Sequence, residues 1–281
     1  MASGFFALLD DIASLMDDVV VMSKISTKKT AGILGDDLAV NAEKATGFLA
    51  SRELPVLWAI TKGSARNKLM ILPIAFLLSA FASWGVTLAL ILGGVYLAFE
   101  GVEKIYHVVF HRNHEEEGDN NEAVDDEILS KEELVIREKK KIKSAIFTDF
   151  ILSVEIVIIA LGTVIGKPIL FQIMVVSIVA IIATIGVYGI VALIVRMDDL
   201  GLRLVKMSNG NRNFLKFTGT LLVNALPKII KSLSIIGTIA LLLVAGGIFI
   251  HNIEFLHHFL EAWPSVIRDF IVGLGVGFLA L

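Results

Sequence analysis

Cysteine is missing from all 281 residues, which excludes disulfides and thiolate metal sites while leaving the compartment open. Nothing at the N-terminus reads as a secretory signal: no basic region leads, and Asp10, Asp11, Asp17 and Asp18 break the first apolar stretch. Neither glycine pair, Gly93-Gly94 or Gly246-Gly247, is followed by a phosphate-loop pattern, so both read as small residues for close helix packing. Serine, threonine and histidine occur without nucleophile spacing, so no catalytic residue is assigned and no nucleic-acid partner is expected. Basic residues are absent from the apolar part of every expected span. The net charge of −3 decides little, because the charges are sorted by position.

What is present is apolar. Hydrophobic residues make up 56% of the chain, against roughly 45–50% in an ordinary soluble domain, and they lie in continuous runs. Spans of about 20 residues cross a bilayer as helices, and seven are expected, at about 4–22, 69–83, 85–105, 144–165, 169–195, 229–250 and 266–281. The fold class is therefore all-α, a polytopic helical membrane bundle with the lipid bilayer as its main partner. Basic residues alternate between the connections. Segments 24–68, 104–143 and 196–231 hold 23 of the 25, and by the positive-inside rule they face the cytoplasm. Lys167 lies on the opposite side and Arg268 at a span entrance, which puts the N-terminus in the periplasm. The chain stops in mid-span at Leu281, so a native C-terminus extending further is expected. The loop from His111 to Lys143 begins acidic and ends basic, as a solvated connector or a docking surface would.

Three short matches keep one order and nearly one offset: Met16-Asp17-Asp18 with Met197-Asp198-Asp199, Val40-Asn41-Ala42 with Val223-Asn224-Ala225, and the stretch 93–99 with 275–281. They suggest a parallel duplication: residues 1–110 as a first repeat, 111–143 as a charged cytoplasmic loop, 144–168 as a linking span and 169–281 as a second repeat. Repeated helical units with a site between them are a recurrent transporter plan, and a homo-oligomer is compatible with it.

The acidic residues carry the functional argument. At 100° per residue, Asp10, Asp11, Ser14, Asp17 and Asp18 share one face of the first helix and apolar residues fill the other. Such a helix belongs inside a bundle with its carboxylates on a wet cavity, or else the carboxylates are simply wet at its two ends. Asp149, Ser153 and Glu155 lie in the fourth span. Glu155 is about 11 residues from its start, or roughly 16 Å, near the midplane. With no basic partner inside a span, these carboxylates must be protonated, hydrated or paired with a bound cation. Asp198 and Asp199 sit where the fifth span ends, as site or as surface charge. Asp36 and Asp37 read as the polar face of a cytoplasmic amphipathic helix. Asn41 and Asn224 are polar partners or plain helix-end residues. His251, Glu254 and His258 fall on one helical face with ligand-type spacing, yet directly after a span, where interfacial histidines are common. The candidate cation or proton site is thus Asp10, Asp11, Asp17, Asp18, Asp149, Ser153, Glu155, Asp198 and Asp199. No cofactor is implied beyond a divalent cation or a proton held there.

Several segments resemble the bacterial inner-membrane YedI family: Phe5–Ala13, Lys28–Leu38, Arg52-Glu53-Leu54-Pro55-Val56, Thr148–Ile156 and Gly186-Val187-Tyr188-Gly189. The resemblance covers nearly the whole chain and implies an inner-membrane location, with no activity to carry over. A remoter likeness is to the TerC-type membrane proteins associated with metal-ion export. Their acidic residue followed by Ser-x-Asp-Asn looks like Asp149-x3-Ser153-x-Glu155, with Ile156 in place of the asparagine. The expected function is transport of a cation, metal or proton-coupled. The alternatives are an intramembrane enzyme using aspartate-bound Mg²⁺ on a lipid-linked substrate, with Arg196 beside Asp198 and Asp199, or a non-catalytic membrane scaffold.

Overall fold

The computed structural model describes residues 2–45, 50–110, 131–208, 214–253, 255–256, 260 and 263–281. Seven helices make up the regular structure of these residues: α1 (Ala2–Ala45), α2 (Ala50–Phe81), α3 (Ser83–Phe110), α4 (Lys131–Gly162), α5 (Ile169–Met207), α6 (Phe214–Asn252) and α7 (Ser265–Ala280). Among the described residues five helical stretches are long and apolar enough to cross a membrane: Arg52–Phe81, Ser83–Tyr106, Glu138–Gly162, Ile169–Met207 and Lys216–Asn252. The chain thus has the apolar helices of a multi-pass membrane protein. The expected first and seventh spans are not among them, because α1 is too polar and α7 is only 16 residues long.

The helices also run beyond the expected spans. Residues 24–68, expected as a cytoplasmic segment, are instead mostly the second half of α1 and the first half of α2. Charged residues do not end a helix, and lysine and arginine stems can lie along apolar surface. The apolar runs therefore mark only the lipid-compatible middles of longer helices.

Contacts along α4 fix the direction of its neighbours. Ala45 of α1 shares a core cluster with Ala145, Ile33 one with Ile156, and Val19 one with Val164. At the two ends Lys44 donates to Thr148, and Ser26 pairs with Thr163. So α1 runs antiparallel to α4 along its apolar length. Its inward-facing positions run from Ser23 to Ala45 over about 33 Å, while Lys24, Lys28 and Lys29 between them stay exposed. Helix α2 runs parallel to α4, from Arg52 beside Glu138 to Lys68 beside Ser153. In sum, α1, α3, α5 and α7 point one way and α2, α4 and α6 the other.

Small residues set the closest crossings. A Cβ at Gly237 of α6 would stand 2.7 Å from the Asp36 Cα of α1, and one at Gly246 would stand 1.7 Å from the Asp269 carbonyl oxygen of α7. Such contacts bring backbones together without side chains between them. The turn from α4 to α5 uses Gly166 at φ 81°, a conformation glycine adopts at little cost. Of the three sequence matches, the last pairs helices that start in step, at Ser83 and Ser265. The second does not: Asn41 is near the end of α1 and Asn224 near the start of α6.

Candidate functional site

The unusual element is α1. Ser23, Ser26, Thr30, Asp37 and Asn41 follow one another at helical spacing, fall within an arc of about 60°, and are all buried. The helix therefore turns a polar stripe inward, against α4 and its neighbours. In lipid such a helix is admissible only where other helices or bound species satisfy its polar atoms.

Asp36 and Asp37 project about 100° apart from α1, and Asp149 and Glu155 about 120° apart from α4. Two groups of side chains result. In the first, Asp149 is 1% exposed and accepts hydrogen bonds from Ser64 at 2.8 Å, Asn67 at 3.1 Å, Tyr188 at 2.7 Å and Ser153 at 3.4 Å. The Lys68 ammonium lies 3.7 Å from the same carboxylate and donates to Ser64 at 2.8 Å and Ser153 at 2.9 Å. Asn41 donates to Asp37 and accepts from Tyr188 at 3.4 Å, which ties α1 and α5 into this group.

In the second group, Lys104 of α3 bridges Asp36 at 2.7 Å and Glu100 at 3.1 Å. Glu155 has Glu100, Asp36, Lys104 and Asp37 as its charged neighbours. It is 6% exposed, and neither carboxylate oxygen has a hydrogen-bond partner. One oxygen of Asp36 is likewise buried and unpartnered, as are the hydroxyls of Ser23 and Thr27 further along α1. Four buried carboxylates (Asp36, Asp37, Asp149 and Glu155) and the partly exposed Glu100 thus lie near the buried ammonium of Lys68 and the partly exposed one of Lys104.

The structure joins some of the expected site residues and separates others. Asp149 and Ser153 share one network, and Glu155 lies on the same helix in the neighbouring one. Asp10, Asp11, Asp17 and Asp18 are exposed, as are Ile12, Leu15 and Met16 across the helix from them. They do not reach the centre because α1 enters the bundle only from Val19 onward. Asp198 and Asp199 lie on α5, with side chains outside the described residues, as are Glu254, His257 and His258; His251 is exposed. Among the described residues, no three carboxylate or imidazole groups come together as a metal site would need.

The expected lack of basic partners does not hold. Lys68 and Lys104 lie inside the helices that carry the spans, where the longer α2 and α3 place them against Asp149 and Asp36. Asp36 and Asp37, read from the sequence as a solvated face, are 1% and 3% exposed. The i,i+4 pairs Ser64–Lys68 and Glu100–Lys104 and the polar stripe of α1 were the available signals. Each stood just outside an apolar run, which is why hydropathy passed over them.

A family model described as "Protein of unknown function (DUF808)" matches residues 3–276, and the chain belongs to that family. No curated protein and no solved structure matches it. The match establishes membership of a family of unknown function, without the YedI name or the TerC-type likeness.

Proposed function

We propose, from the premise of DUF808 membership and the geometry above, that this protein is a membrane transporter or channel-like protein for a small cation, with protons carried by Glu155 and Asp36. One observation carries the reading: Glu155 is buried in the Glu138–Gly162 stretch with both oxygens unpartnered. A naked carboxylate there is too costly to persist as an ion, so it holds a proton or awaits a cation. The neighbouring orphan oxygen of Asp36 gives a second seat, beside the partly exposed Lys104 and Glu100. We place the protein in the bacterial inner membrane with its basic helix ends in the cytoplasm.

The test is proton flux into liposomes containing the purified protein, read with an internal pH dye under an imposed membrane potential. Wild type should acidify the lumen, and Glu155→Gln should abolish this while leaving insertion intact, since a neutral amide is cheaper to bury than a carboxylate. Equal flux in the two proteins would remove Glu155 from the path and favour a non-catalytic scaffold.

A further inference from the structure

The surroundings of Lys68 carry a second inference, which rests on the cation reading but concerns a different group of side chains. Its Nζ is held by the hydroxyl oxygens of Ser64 and Ser153 at 2.8 and 2.9 Å, and the Asp149 carboxylate stands 3.7 Å away. All four residues are buried, and they come from two neighbouring candidate spans. Asp149 lies in its span about 9 Å along the helix from Glu155. Neutral hydroxyls and one carboxylate form an oxygen cage of single negative charge, and an ammonium is the only cation in it. In size and charge an ammonium resembles a dehydrated alkali ion.

We infer that Lys68 is a tethered occupant of a monovalent-cation seat formed by Asp149, Ser64 and Ser153, and that an entering alkali cation displaces it. Two positive charges cannot share one buried carboxylate without strong repulsion. The long flexible stem lets the amine withdraw, and a buried lysine can give up its proton. The exchange balances: the ammonium and a free cation become a neutral amine, a bound cation and one released proton. The ionisable groups facing Lys68 are Asp149 from α4, Asp37 from α1 and Tyr188 from α5. Asp37 is chain neighbour to Asp36, so filling this seat alters the field at the Glu155 and Asp36 group. The two groups together would then exchange a monovalent cation for a proton.

Cation-dependent proton release from the purified full chain tests this. Lithium, sodium and potassium chlorides are added in turn to weakly buffered protein in detergent, with choline chloride holding ionic strength constant. At least one alkali ion should release about one proton per chain from wild type, and choline should release none. Lys68→Ala should still bind that ion, read as a rise in thermal midpoint, but release no proton. Ser153→Ala keeps the charge pair and should weaken the ion's affinity roughly tenfold with release retained. Absence of alkali-specific release from wild type, or release from Lys68→Ala equal to wild type, overturns the inference. If Lys68→Ala does not fold, the serine variant decides, and unchanged affinity there overturns it. Glu155→Gln separates the two proposals, because it should lose flux yet keep the release. Flux without any alkali-specific release removes this seat alone, while release without flux removes the transport reading.

Discussion

Lys104 reaches Asp36 at 2.7 Å with 28% of its side chain exposed, whereas Asp36 keeps only 2%. Removing the lysine therefore strands a buried carboxylate, while removing both partners leaves only the partly exposed Glu100 without its ion pair. Breaking a buried pair costs about 3–5 kcal/mol, and the partial exposure of Lys104 puts Lys104→Met near the lower bound. The double variant Asp36→Asn/Lys104→Met should recover most of that loss. Arg52 and Glu138 form the contrast, as a bidentate pair with the arginine 48% exposed. Arg52→Met should change stability by no more than about 1 kcal/mol. Unfolding midpoints in mixed micelles of increasing denaturing detergent check all three, and equal losses from the two lysine and arginine variants would refute the distinction. At this scale Glu155 was legible in the sequence, because a carboxylate inside an apolar run stands out. Asp36, Asp37 and Lys68 were not, because their burial comes from helices distant in sequence.

Between elements, the crossing of α1 and α6 bears directly on the site. Gly237 lies against the Asp36 backbone, and a Cβ there would meet Cα and N at 2.7 Å. Backbone cannot step aside as a side-chain tip can, so Gly237→Ala should cost about 1–3 kcal/mol. It should also push Asp36 away from Lys104 and reduce proton flux. Gly186 of α5 has nothing within 4 Å of its would-be Cβ, so Gly186→Ala should be neutral or slightly stabilising. Thermal midpoints in detergent, with flux for the first variant, measure both effects. An unperturbed Gly237→Ala protein would mean that α1 and α6 are further apart than described. The inward stripe of α1 also explains why its hydropathy misleads: a helix sheltered by neighbouring helices need not be apolar.

For the molecule as a whole, the alternation of directions from α1 to α7 groups the basic residues Arg52, Lys139, Lys140 and Lys141 near one end of the bundle. It puts Lys167 at the other together with Lys24, Lys28 and Lys29, which the sequence groups with the cytoplasmic residues 24–68 but which flank Ser26 beside Thr163. The 281 residues contain no cysteine, so single cysteines placed in them report side directly. With an impermeant thiol reagent applied to intact cells, Lys167→Cys should label and Lys140→Cys should label only after permeabilisation. The opposite pattern would invert the proposed orientation. Helices α1–α3 and α5–α7 run in the same alternating sense, but the match of Asn41 with Asn224 falls on α1 and α6, which point opposite ways. Superposing the two triplets without inverting the membrane normal, with Ser83 on Ser265, tests whether the matches at offsets near 182 are inherited.

Composition and the placement of apolar runs were enough to determine an all-helical chain with membrane-crossing segments, because a continuous apolar stretch is stable only where its whole surface meets lipid or other helices. They also exposed Glu155, since the cost of an ion in such a run is local and countable. Where the helices end, which side chains meet and which charges are paired were decided only in three dimensions. The sequence placed Lys68 and Asp149, 81 residues apart, in different compartments, and packing of α2 along α4 brings them to 3.7 Å. Likewise the four aspartates at the start of α1, prominent in the sequence, stay outside, because only the later turns of that helix find neighbours to pack against. Burial depends on all the helices around a residue, and a single stretch of sequence describes only one of them.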